Sequence, residues 1–102
     1  MTTQIRNLDG LDGEPHANPF PNVEPKTVRL VLDEGESVPA HSHPGRDIVF
    51  YLIEGELELT VGDDAHLLNA GDVARFDGNQ EITPKALADS TALIVLAAGE
   101  DA

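Results

Sequence analysis

The sequence predicts an all-β fold, a sandwich or barrel, from three observations. From residue 26 onward, short apolar segments alternate with turn-forming residues about every 8 to 12 positions, which is typical of antiparallel β domains. No segment with a helical period is longer than about two turns. The chain has 102 residues, of which 40% are hydrophobic, so it can bury one core as a single domain.

The expected strands follow from the apolar pattern between these turns. The segment 56–61 alternates cleanly, with Leu57, Leu59 and Val61 on one face and polar residues on the other. The segment 47–53 is apolar on both faces, so it should be covered on both sides or lie at an interface. The predicted strands are 27–33, 38–43, 47–53, 56–61, 66–69, 73–76, 81–83, 85–87 and 91–97, with Pro84 separating 81–83 from 85–87.

Residues 1–25 differ in composition from the rest of the chain. They are expected to form an N-terminal arm, followed by a barrel domain at residues 26–102. Prolines interrupt any long regular element in the arm, at positions 15, 19, 21 and 25. The composition is compatible with an arm that docks on the barrel and with a loose tail, and both alternatives stay open.

The charge of the chain excludes several classes of partner. Nineteen acidic residues face six basic ones, which gives a formal net charge of −13. Such a surface repels nucleic acid and anionic membranes, because binding of phosphate groups requires a positive patch. We therefore expect neither nucleic acid nor a membrane as a partner.

Lysine is rare, since only Lys26 and Lys85 occur, and this acidic, lysine-poor composition is similar to that of proteins from extreme halophiles. Molar salt shortens the electrostatic screening length to about 3 Å and removes most of the repulsion between like charges. The alternative is an ordinary acidic protein. The chain has no cysteine, which excludes disulfides and thiolate metal sites. Neither a signal peptide nor a membrane span of about 20 apolar residues is visible, so we expect a cytoplasmic protein.

The pair His41 and His43 is the feature that points to chemistry. On a strand, residues i and i+2 point to the same face about 7 Å apart, so two imidazoles at this spacing can converge on one ion. Imidazole is a suitable ligand for Zn, Fe, Ni, Cu and Mn. The alternative is a pair of merely packed histidines. The other two histidines, His16 in the arm and His66 near a turn, are expected to lie on the surface.

The histidine pair lies between two glycines, Gly35 and Gly55, and two turn-containing segments follow at 68–73 and 76–78. The first group of residues resembles the first conserved motif of the cupin superfamily, and the two segments resemble the second. The resemblance covers about residues 26–98. It implies a cupin double-stranded β-helix, which is a jelly-roll barrel of two facing sheets.

The resemblance is incomplete at the metal ligands. His41 and His43 match two family histidines, but the family glutamate falls at Ile48, one residue after Asp47. Asp47 can reach a metal only if a bulge shifts the start of its strand. The third family histidine falls at Glu81, which would complete a two-histidine, one-carboxylate face suited to Fe(II). The alternative is that Glu81 lies in a solvated turn.

The resemblance implies a divalent metal ion, Fe, Ni, Zn or Mn, held by His41 and His43 and completed by Glu81 or Asp47. It also implies a small-molecule ligand and oxidation, isomerisation or ring-type turnover of a small metabolite. A second hypothesis is a non-catalytic small-molecule-binding protein or sensor with a degenerate metal site. Small proteins of this family often pair through sheet faces or N-terminal strands, so the segment 47–53 and the arm lead us to expect a homodimer.

Overall fold

The computed structural model describes residues 3–98, which form two antiparallel β-sheets. No α-helix occurs between residues 3 and 98, and no helix found there is long and apolar enough to cross a membrane. The prediction of an all-β fold is confirmed. The strands are β1 (His16–Ala17), β2 (Lys26–Leu32), β3 (Arg46–Glu54), β4 (Glu56–Val61), β5 (Asp64–Asn69), β6 (Val73–Asp77), β7 (Ile82–Ala86) and β8 (Ser90–Ala98), with one 3₁₀ turn at Leu8–Gly10.

The larger sheet has the strand order β1-β2-β8-β3-β6 and the smaller sheet has the order β5-β4-β7. Residues 35–41 run along the free side of β7 as an irregular edge. The backbone N–H of Val38 donates to Pro84 O at 3.1 Å, and that of Ile82 donates to His41 O at 2.8 Å. This edge brings His41 to the smaller sheet.

The core lies between the inner faces of the two sheets. Ile48, Phe50 and Leu52 of β3 are at most 1% exposed and pack against inward residues of β4. Each such side chain stabilises the fold by roughly 1.5–3 kcal/mol relative to an exposed one. The opposite face of β3 is different, because Val49 and Tyr51 are 37% and 38% exposed. Only one face of the predicted two-sided strand is therefore buried within the described chain.

Two strand predictions near prolines were wrong. The segment 38–43 forms no continuous strand, since only isolated bridges occur at Ser37 and His41. A continuous ladder with β7 is interrupted because neither Pro39 nor Pro84 has a backbone N–H to donate. Conversely, Pro84 does not divide β7. Its carbonyl accepts from Val38, so the side that lacks the N–H faces the irregular edge and the pairing with β4 is intact.

Buried Arg29 of β2 holds the N-terminal arm against the larger sheet. This residue is only 6% exposed. The guanidinium donates to three carbonyl oxygens of the arm, those of Leu8, Leu11 and Gly13. Strand β1 adds backbone pairing, with His16 opposite Leu30. The part of the arm at residues 8–17 is thus docked on the barrel, while the predicted ends of the arm and barrel, residues 1–2 and 99–102, lie outside the described residues.

Candidate ligand and metal site

The two sheets enclose a cavity of about 320 Å³ beside the histidine pair. This volume is at the lower end of the roughly 300–1,000 Å³ that small-molecule pockets span. Its floor is apolar and comes from both sheets, with Leu30, Ile48, Phe50, Phe76, Ile82 and Ile94. The cavity can therefore accept a small ligand with an apolar body.

Backbone hydrogen bonds position both histidines at the wall of this cavity. His41 exchanges two bonds with Ile82, and the N–H of His43 donates to Gly78 O at 2.7 Å. A side chain at position 78 would not fit, because its Cβ would lie 2.5 Å from His43 O and 2.9 Å from Arg46 O. The glycine is thus required for the close approach that places His43.

The two imidazole rings are close and mutually perpendicular. Their centroids are 4.8 Å apart and the interplanar angle is 88°. His41 Nδ1 lies 2.9 Å from Pro39 O, so this nitrogen carries the proton and donates to the carbonyl. In the neutral form of the ring, Nε2 of His41 keeps its lone pair. A carbonyl partner of this kind is the usual way in which a metal-binding histidine is oriented.

The environment keeps His43 uncharged near neutral pH. Burial lowers the pKa of His43 below its ordinary value of 6.5, and nearby His41 and Lys26 lower this pKa further. A neutral imidazole is the form that binds a metal ion or accepts a hydrogen bond. The site is therefore prepared for either role at pH 7.

The two carboxylates predicted to complete a metal site lie elsewhere. Asp47 points to the outer face of β3, where its carboxylate is 3.4 Å from the Arg75 guanidinium. Successive residues of a strand face opposite sides, so the next residue, Ile48, is the one that points into the core. Glu81 is exposed just before β7 and does not line the cavity. Across residues 3–98, no group of three or more His, Asp or Glu side chains is arranged to hold a metal ion.

The structure adds two cavity residues that the sequence analysis did not select. His16 is exposed, as expected, but it lines the cavity because β1 pairs with β2. Lys26 lines the cavity from the start of β2. The parity of Lys26 with Val28 and Leu30 was visible in the sequence and could have identified it. No spacing in the arm could have identified His16, since its position depends on the docking of the arm.

Two facing antiparallel sheets around an apolar cavity, with a histidine pair in the wall, define a jelly-roll barrel. The family model described as the cupin domain matches residues 28–98, and the chain therefore belongs to the cupin family. The double-stranded β-helix expected from the motifs is confirmed. No curated protein matches the chain.

Solved structures share this fold. A protein of Thermus thermophilus is 27% identical, with a TM-score of 0.77 over 95% of this chain and 99% of that one. KdgF from a Halomonas species is 18% identical, with a TM-score of 0.79 over 99% and 97%. A predicted oxalate decarboxylase of Thermotoga maritima is 25% identical, with a TM-score of 0.67. The last alignment covers 72% of this chain and 65% of the Thermotoga protein.

Proposed function

We propose that this cupin binds a small molecule in its cavity and that His41 and His43 hold a divalent metal ion at the cavity wall. The observation that supports the proposal is the placement of both imidazoles on the same cavity, 4.8 Å apart. The hydrogen bond from His41 Nδ1 to Pro39 O leaves Nε2 available as a ligand. Zn, Fe, Ni and Mn all accept imidazole nitrogen.

The donor set fits a metal ion with several open positions. Two imidazoles are fewer than the three protein ligands typical of catalytic zinc sites, so water and the bound molecule would supply the other donors. When bound, the ion would act as a Lewis acid toward an oxygen of the ligand. The apolar floor around Ile48 and Phe50 excludes water from the body of that ligand. This arrangement supports binding as the primary function.

A second candidate is a metal-independent binding protein or sensor. It is favoured by the lack of a third His, Asp or Glu ligand anywhere in the described part of the chain. In that case the two imidazoles act as hydrogen-bonding groups for the ligand. The two candidates share the cavity and differ in whether the histidine pair takes up a metal.

Metal titration of tag-free, chelator-stripped protein tests the proposal. We expect one zinc ion per chain by elemental analysis, and an affinity lowered at least about tenfold in His41→Ala and in His43→Ala. His66→Ala is the matched control, because His66 is exposed on β5 and does not line the main cavity. If the protein binds none of Zn, Fe, Ni and Mn, or if His66→Ala loses as much metal affinity as His41→Ala and His43→Ala, the metal proposal is wrong and the metal-independent function is favoured.

A further inference from the structure

Basic groups gather around the cavity although the chain as a whole is strongly acidic. Lys26 and three histidines, His16, His41 and His43, line the cavity. The part of the chain that the structure describes contributes no Asp or Glu to this lining. The chain carries 19 acidic and six basic residues, so the charge of the cavity lining is opposite in sign to the net charge of the protein. A cleft of positive sign with apolar walls attracts anions.

Among the described residues that line the cavity, Lys26 is the only lysine or arginine. It shares the inner face of β2 with Val28 and Leu30, which line the cavity two and four positions later. It forms no ion pair with any residue between 3 and 98. The Arg46 guanidinium binds the Glu24 carboxylate and is the main cause of the lowered pKa of Glu24, which Lys26 lowers further. The Lys26 ammonium is therefore available to a ligand.

His16 and Asn18 add neutral donors beside this ammonium. Partial burial lowers the pKa of His16, and the neighbouring His41 and Lys26 lower this pKa further. A neutral His16 ring offers one N–H donor, and the Asn18 amide offers two. Because both residues belong to the docked arm, the donors reach the cavity only in the folded chain.

We infer that the cavity binds a small monocarboxylate with an apolar body. The carboxylate lies at the Lys26 ammonium and the His16 ring, and the body occupies the apolar floor between Ile48 and Phe50. This inference rests on the proposed function only in placing the ligand in the same cavity. It does not require the metal ion.

The lining favours a carboxylate over a phosphate ester. One ammonium balances a single negative charge, whereas a phosphate near neutral pH carries between one and two charges. Phosphate sites commonly use an arginine fork or a helix N-terminus. Arg46, which is near enough to His43 to lower the pKa of His43, already donates hydrogen bonds to the Glu24 carboxylate and to Leu96 O. No α-helix begins anywhere within residues 3–98.

Calorimetric titration with benzoate and benzamide tests the inference. The two molecules have nearly the same shape and differ in charge. With the metal-free full chain near pH 7 and about 0.15 M salt, we expect benzoate to bind about tenfold more tightly than benzamide. Lys26→Met should remove most of this preference and leave benzamide binding unchanged. Lys85→Met is the control, because Lys85 is exposed on β7 and does not line the cavity.

Three results would overturn the inference: equal affinity for the two molecules, no benzoate binding at millimolar concentrations, or the same loss in both lysine variants. Circular dichroism of each variant establishes that it is folded. The zinc titration tests the metal proposal independently of the benzoate titration. A benzoate preference without zinc uptake supports this inference and refutes the metal proposal, whereas zinc uptake without a benzoate preference does the opposite.

Discussion

Gly78 fixes the position of His43 because a residue without a side chain lets two backbone carbonyls approach it closely. Its carbonyl accepts from the His43 N–H, its own N–H donates to Arg46 O, and a Cβ at this position would collide with both neighbouring carbonyls. The neighbours are backbone atoms, which cannot move aside as the end of a flexible side chain can. The turn that presents His43 therefore depends on the absence of a side chain at residue 78.

We expect Gly78→Ala to destabilise the protein by about 1–3 kcal/mol, because the added methyl overpacks this turn. Urea unfolding measures the change. Gly10→Ala is the matched control, since nothing lies within 4 Å of a Cβ at residue 10. Equal stability of both variants would contradict the role assigned to Gly78.

The lowered pKa values of His16 and His43 predict how stability depends on pH. The folded protein holds these rings neutral below their ordinary value of 6.5, so it binds fewer protons than the unfolded chain there. Their contribution is therefore present above pH 6.5 and is lost as the pH falls toward the folded pKa. We expect the free energy of unfolding to decrease from pH 7 to about pH 5.

Urea unfolding at several pH values tests this expectation. His43→Gln removes one of the two rings whose pKa is lowered, so it should reduce the slope of stability against pH. His66→Gln, on the exposed strand β5, should leave that slope unchanged. Identical slopes for wild type and His43→Gln would show that this ring does not contribute.

At the scale of elements, the sequence predicted the regular strands well and the irregular edge badly. The strand 56–61 was predicted to the residue, because strict alternation and glycine turns define both of its ends. The prediction for segment 38–43 was wrong because Pro39 has no N–H, and Pro84, which lies opposite Val38, lacks one on the side that faces this segment. The consequence of a proline in a strand depends on which side its missing N–H faces, and this is decided by the neighbouring strand.

The docked arm is held by one buried side chain, Arg29, in addition to the pairing of β1 with β2. We expect Arg29→Met to destabilise the protein by about 1–3 kcal/mol, since three arm carbonyls lose a charged donor. Limited proteolysis should then cut residues 3–15 faster while the barrel stays intact. The control is Arg75→Met, whose side chain is 70% exposed in the wild type. An uncut arm in Arg29→Met would mean that β1 pairing alone holds it.

At the scale of the whole molecule, the outer face of the larger sheet is the surface on which we expect a second copy. Val49, Tyr51 and Val73 are exposed there, with Leu93 and Val95 half-buried beside them. Two chains of charge −13 repel each other, so a dimer requires a face with few charges. The charged residues of β3 and β6 on this face are Asp47, Arg75 and Asp77, and two of them, Asp47 and Arg75, form an ion pair.

Sedimentation measurements of Tyr51→Lys test the expected homodimer. A buried ammonium at the centre of an apolar interface is costly, so this variant should be monomeric where the wild type is dimeric. Leu67→Lys is the control, because Leu67 is 59% exposed on the other sheet. A monomeric wild type, or dissociation by Leu67→Lys as well, would contradict an interface at this face.

The net charge predicts a response to salt. Repulsion among nineteen acidic residues opposes the compact state, and ions screen it. We expect the thermal midpoint to rise with KCl, most steeply below about 0.5 M, where the screening length shortens most. Scanning calorimetry from low salt to molar salt measures this rise. A flat or falling midpoint would mean that the surface is not adapted to high salt.

The sequence by itself determined the all-β architecture and the buried face of β4, because both follow from local alternation. It also selected His41 and His43, but long-range backbone bonds to Ile82 and Gly78, and not a continuous strand, hold them at the cavity. Only the tertiary structure decided which groups share the cavity with those histidines. Strand parity directs Asp47 outward, Glu81 does not line the cavity, and the docking of a distant arm brings in His16. Contacts between residues far apart in the chain are set by the pairing of strands and by Arg29, and no local pattern encodes them.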